Sequence, residues 1–191
     1  MSYRENPDQE KQVEMVEEEI QLSIRQAQVK DARAILGLMR HIGKDTNYLT
    51  TGPEGLSLDV QQEKELIRNY LLAKKSLLLI IEVDDQVIGI GNLANFSSHK
   101  QDHIAEIGVS IVKEYWGYGI GKMIVQELID FAKKVDLKIL TLEVVTENQR
   151  AVRLYKSFGF DIKGTLSQRL RHGHFYYDVY TMEKILRKSL T

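Results

Sequence analysis

Residues 107–123 read Ile-Gly-Val-Ser-Ile-Val-Lys-Glu-Tyr-Trp-Gly-Tyr-Gly-Ile-Gly-Lys-Met, an apolar, β-branched run that ends in a charged, aromatic turn and three alternating glycines before a long helical pattern begins. The order is strand, tight loop, helix start. The first backbone N–H groups of a helix have no intrahelical partner, and the helix dipole adds partial positive charge there, so such a junction is an anion site. Gly117, Gly119 and Gly121 admit backbone angles closed to other residues and let a pyrophosphate approach the main chain. A glycine-rich turn with no ligand shows the same pattern. Spacing excludes two better-known phosphate loops. A P-loop needs a glycine where the chain has Trp116 and a Ser or Thr where it has Met123. The dinucleotide fingerprint needs a glycine where the chain has Ile120 or Lys122.

With 191 residues, 43% hydrophobic content and two prolines, the chain suits one domain with a substantial core, taken as residues 21–191. A formal net charge of -1 argues against a nucleic-acid or membrane-surface binder and leaves small molecules or a protein terminus as partners. The absence of cysteine excludes disulfides, thiolate metal sites and a cysteine nucleophile, so any acyl transfer avoids a cysteinyl intermediate. The acidic start and an aliphatic run, 77–81, far too short to span a bilayer, give neither a signal peptide nor a membrane helix, and a cytoplasmic protein is expected. Residues 1–20 carry an excess of glutamate and read as an acidic arm or a solvated helix.

A short strand is expected from Leu22, then a helix capped by Asp31 with Ala34, Ile35, Leu38, Met39 and Ile42 inside. The polar loop 44–55 borders a substrate pocket, and 58–75 reads as a second helix burying Leu66, Ile67, Tyr70 and Leu71. Strands over 76–83 and 86–96 flank an Asp84-Asp85 turn, and a third runs over 103–112. The helix 119–135 and the strand 139–145 complete a crossover with parallel strands. Asn148 caps a short helix closed by Gly159, and two strands finish the chain around Arg171-His172-Gly173. The five histidines show no metal-ligand spacing, so no metal is expected, and no Gly-x-Ser-x-Gly occurs.

Gly119 and Gly121 match the glycines of the coenzyme A loop of the GNAT acetyltransferase superfamily, whose pattern is Arg or Gln, two residues, Gly, one residue, Gly or Ala; Trp116 stands where Arg or Gln is usual. Asn148-x-x-Ala151-x-x-x-Tyr155-x-x-x-Gly159-Phe160 is similar to the segment that closes the coenzyme site in that superfamily. The resemblance covers about residues 22–184 and implies an α/β fold with a mixed, mostly antiparallel, twisted sheet of about seven strands flanked by about four helices. It implies an N-acetyltransferase that moves an acetyl group directly from acetyl-CoA to a primary amine in a ternary complex. The acceptor would be an amino acid, polyamine, antibiotic or protein N-terminus.

Phosphate contacts would come from Trp116, Gly117, Tyr118, Gly119, Ile120, Gly121 and Lys122, and pantetheine contacts from the main chain of Val109 and Ile111. One N–H on that strand would serve the oxyanion. Tyr155, otherwise readable as an aromatic core residue, would protonate the departing thiolate with help from Asn148. An alkyl amine has a pKa of about 10 and must lose a proton before attack, so a carboxylate or ordered water has to take it. Glu106 is the candidate base; it shares a strand face with Gly108 and Ser110, opposite Ile107, Val109 and Ile111. A solvated strand glutamate reads the same way. The competing class is a coenzyme-binding sensor that keeps the fold without turnover. Family analogy alone raises a homodimer through the terminal strands.

Overall fold

The computed structural model describes residues 21–186; the acidic arm 1–20 lies outside them. The chain opens with β1 (Leu22–Gln26), a 3-10 turn (Val29–Asp31), α1 (Ala32–Asp45) and α2 (Val60–Leu72). Next come β2 (Leu77–Val83), β3 (Gln86–Asn95), β4 (Ile104–Ile111), a second 3-10 turn (Lys113–Tyr115) and α3 (Ile120–Lys134). It ends with β5 (Ile139–Val145), α4 (Gln149–Ser157), β6 (Asp161–His172) and β7 (Phe175–Ile185). One seven-stranded sheet takes the order β1-β2-β3-β4-β5-β7-β6. Only β4 and β5 pair parallel; the other neighbours are antiparallel. Among the described residues no helix is long and apolar enough to cross a membrane.

Two layers of helix cover this sheet. α3 packs Ile124, Leu128 and Ala132 on Leu93, Ile107, Leu140 and Met182, and α4 adds Val152 and Tyr155 to the same cluster. On the other face α1 and α2 set Ile35, Met39 and Ile67 on Leu78 and Ile80. Each such aliphatic side chain, fully buried, contributes about 1.5–3 kcal/mol. A Cβ at Gly91 of β3 would come within 2.5 Å of Ile124 Cγ1, so this glycine sets how closely α3 lies on the strand. The β2–β3 turn is made by Asp84 and Asp85, both at positive φ (48° and 64°), as a two-residue hairpin turn of matching twist requires.

Three expectations need correction. Asp31 makes no side-chain cap to α1. Its carboxylate instead accepts from both terminal nitrogens of Arg25, at 2.8 and 3.0 Å, and from the Gln28 N–H at 2.7 Å. Ala34 is exposed, and the inner stripe of α1 uses Ala32 and Leu36. α2 starts at Val60, where Asp59 caps it by accepting from the Gln61 and Gln62 N–H groups. Its inner stripe is Val60, Glu63, Ile67 and Tyr70, at spacings of three, four and three residues, while Leu66 and Leu71 are 38% and 43% exposed. Counting only apolar residues had rotated that helix and left out a glutamate.

Candidate active site

The site begins where the sheet opens. β4 and β5 pair only through Ile104↔Ile139, Ala105↔Leu140 and Glu106↔Thr141, and beyond Glu106 the two strands diverge. The Val112 N–H donates to the Ile88 carbonyl, so even-numbered residues of β4 turn their main-chain groups to β3. By that alternation the peptide groups of Ile107, Val109 and Ile111 face the gap. Their side chains pack at the same time against the α3-side core. The Ile111 carbonyl is already engaged, accepting from the Trp116 indole Nε1–H at 2.7 Å.

Past the gap the chain turns into α3 through residues at φ +98° (Gly117) and +83° (Gly119). A Cβ built on either would meet nothing within 4 Å, so the backbone angle demands glycine and open space lies above it. Gly121 differs. A Cβ there would sit 3.2 Å from Leu154 Cδ2, so this glycine lets α4 approach α3. Gly119 is the N-cap residue of α3 and supplies no side-chain cap, and the first turn carries no acid. By contrast Asp59 caps α2, and the Asn148 side chain accepts from the Ala151 N–H at 3.1 Å to cap α4. The α3 start is thus left with unpartnered N–H groups facing a basic surface of Lys122, Arg150 and Arg153. The Arg150 guanidinium lies over the Trp116 ring, 5.0 Å from its centre.

Gap and loop open into one cleft of about 460 Å³. Of the expected site residues, Val109, Ile111, Trp116, Gly117, Gly119, Ile120, Gly121, Lys122, Asn148 and Tyr155 line it. Tyr118 does not; its side chain is 77% exposed. Tyr155 is 6% exposed, packs edge-on against Phe160 at 5.7 Å, and burial pushes its hydroxyl up to about 12. It therefore stays protonated across neutral pH and keeps a proton to donate. The loop 44–55 closes the far end with Thr46, Tyr48 and Leu49, as expected of it, and Tyr48 meets Tyr177 of β7 edge-on at 6.4 Å.

Glu106 lies outside the cleft lining, on the α2 side of β4. Partial desolvation pushes its carboxyl above the ordinary value, and the Glu143 carboxylate adds to this. On the same side the Tyr70 hydroxyl is raised chiefly by burial; it shares a hydrogen bond with the Asn92 side chain and feels the charges of Glu106 and Glu63. The Asn92 side chain bends across Gly108, where a Cβ would sit 2.6 Å from its Oδ1. Glu63 is 1% exposed, and its Oε2 has no hydrogen-bond partner among the described residues. Burial alone pushes its carboxyl upward. Sequence reading missed Arg150, although it stands two residues after Asn148 on the turn facing the loop, and it missed Glu63, Tyr70 and Asn92 as a group. It also did not join His41, Asp45 and Glu114, an exposed trio whose ligand atoms lie within 4.8 Å of one another.

The profile described as the Acetyltransferase (GNAT) family matches residues 46–160. The L-amino acid N-acetyltransferase AaaT of Escherichia coli (strain K12) is 26% identical over 109 residues, 56% of this chain and 67% of that protein. The crystal structure of the acetyltransferase of GNAT family from Streptococcus pneumoniae is 26% identical, with a TM-score of 0.83 over 87% of this chain and 100% of that one. The structure of yncA from Salmonella typhimurium, which holds acetyl-CoA, shares the fold at 20% identity and a TM-score of 0.78, covering 90% of this chain and 97% of its own.

Proposed function

The chain belongs to the acetyltransferase (GNAT) family, and from that premise we propose that this acetyl-CoA-dependent N-acetyltransferase passes the acetyl group directly to a small primary amine in a ternary complex. The observation that carries the reading is the opening of β4 from β5 onto the uncapped start of α3, with Tyr155 on the wall between them. The donor set fits acetyl-CoA. A pyrophosphate supplies the acceptor oxygens that the N–H groups at 119–121 lack, and the outward N–H and carbonyl of Val109 with the Ile111 N–H match the amides of the pantetheine arm. Trp116 replaces the usual Arg or Gln without loss of charge, because Arg150 rests on its ring and brings a guanidinium to the same place. The Asn148 side chain acts through α4, whose first turn it caps, and so orients Tyr155.

Bound acetyl-CoA supplies an activated thioester carbonyl: the amine nitrogen bonds to that carbon, the carbon–sulfur bond breaks, and coenzyme A leaves as thiolate. An ammonium acceptor gives up two protons in becoming an amide. Glu106, or a water it holds, takes the one lost before attack, which its raised carboxyl suits. Tyr155 gives its proton to the thiolate and recovers one from the acceptor nitrogen, so one proton in all is released to solvent. The Val109 N–H in the gap is the donor for the carbonyl oxygen.

Free-thiol release from acetyl-CoA, measured against amino acids, polyamines, aminoglycosides and N-terminal peptides with calorimetric coenzyme binding alongside, tests the reading. Release that depends on a small amine supports it. Coenzyme binding with no release across the panel would leave a sensor, and release with peptides alone would move the acceptor to a protein N-terminus.

A further inference from the structure

The cleft does not end at the coenzyme wall. Val109 and Ile111 pack their side chains against the α3-side core, whereas Val112 packs with Leu38 and Ile42 of α1, so even-numbered residues of β4 turn their side chains to the α1 face. Ser110 and Ile42 line the same cavity as Tyr155 of α4. At the end of β4 the cleft therefore reaches from the α3 face to the α1 face, which is also the face of Glu106.

Its α1 end is built from Ile42, Leu49 and Tyr115, which cluster around Val112, and from Tyr48. The Tyr48 ring is held by its edge-on contact with Tyr177 of β7, at 6.4 Å. The acids of this stretch are turned away from the cavity. Asp45 and Glu114, next to Thr46 and Tyr115 in the chain, face the exposed His41 at 3.2 and 3.9 Å. Among the described residues no carboxylate lines the cleft, and its cations, Lys122, Arg150 and Arg153, belong to α3 and α4. A second ammonium entering the α1 end would give up water with no anion to pair with it. An aromatic ring finds apolar walls and ring edges there.

Resting on the acetyltransferase reading above, we propose that the acceptor is a monoamine with an aromatic body, an arylalkylamine, whose ring lies against Tyr48 and Leu49 while its nitrogen enters the gap between β4 and β5. Tyr48 touches the acceptor away from the reacting atoms and sets which amine is chosen.

The test compares phenethylamine, butylamine and putrescine in acetyl-CoA thiol release, for the wild type, Tyr48→Ala and, as a control, Tyr176→Ala, a β7 residue that is 55% exposed and outside the cleft lining. In the wild type kcat/KM falls in the order phenethylamine, butylamine, putrescine, with the first above the second by about tenfold or more. Tyr48→Ala raises the phenethylamine KM and brings its ratio to butylamine toward one, with the KM for acetyl-CoA kept, while Tyr176→Ala keeps the wild-type ratio. Putrescine turned over as well as phenethylamine, or better, overturns the aromatic assignment and leaves the acetyltransferase reading intact. So does release with another amine and none with these three. A ratio that Tyr48→Ala does not move removes Tyr48 from recognition. No thiol release with any amine overturns both readings. The wild-type order decides the matter even if the Ala variant does not fold.

Discussion

The two sides of β4 present opposite kinds of polar group. Toward α3 the groups on offer are main-chain: the outward N–H and carbonyl of Val109, the Ile111 N–H, and the N–H groups at 119–121. Toward α2 the polar groups are side chains, Tyr70, Asn92 and Glu106, drawn from three elements, with Glu63 buried behind them. A main-chain site depends on backbone angles and on the absence of Cβ atoms, and it tolerates change in the residues around it. Trp116 with Arg150 over its ring is the case the proposed reading rests on. A side-chain site depends on charge and reach, and one substitution changes what it selects. In the proposed reading the coenzyme falls to the first kind, and the acceptor to the second.

The largest effect expected is on the coenzyme side. Tyr155→Phe removes the proposed proton donor while keeping the ring against Phe160, so kcat is expected to fall by about 10²-fold or more with coenzyme affinity held. An equal loss in affinity would make Tyr155 a packing residue. Glu106→Gln comes next, with kcat/KM lower by about 10²-fold. Its carboxyl must be ionised to accept a proton and is raised, so the acid limb of the wild-type profile lies above the ordinary 4.5 and activity rises with pH through it. Persistence of that limb in the Gln variant would show that another group takes the proton. Arg150→Ala is smaller: KM for acetyl-CoA rises by about tenfold, kcat is kept, and the penalty shrinks when salt screens the phosphates. A salt-independent change would mean that Arg150 only steadies Trp116.

The contrast between the two sides also explains what could be read in advance. Gly117 and Gly119 announce themselves because positive φ is a local demand, met within the segment that carries it. The Asn148 cap and the Gly159 turn are local in the same way. The opening between β4 and β5 is not local. It depends on pairing between segments more than thirty residues apart, and nothing in residues 104–111 says that pairing stops at Glu106. Glu63 was hidden for a further reason: a helix stripe is found by its apolar members, and a buried carboxyl on that stripe is counted as surface. Leu66 and Leu71 then took its place, although α2 leaves both partly in water.

That misplaced glutamate gives the smallest and most direct check on the comparison. In the unfolded chain Glu63 loses its proton near 4.5, and in the folded protein burial holds the proton to higher pH. Between the two values the folded state binds more protons than the unfolded state, so stability falls as pH rises through that window and is not regained above it. Glutamine has no proton to lose. The stability gap between Glu63→Gln and the wild type, followed by urea denaturation, therefore opens in favour of the variant as pH is raised above 4.5 and then levels off. A gap that does not change with pH would mean that the Glu63 carboxyl is already satisfied, and the α2 stripe would then carry no cost for its charge.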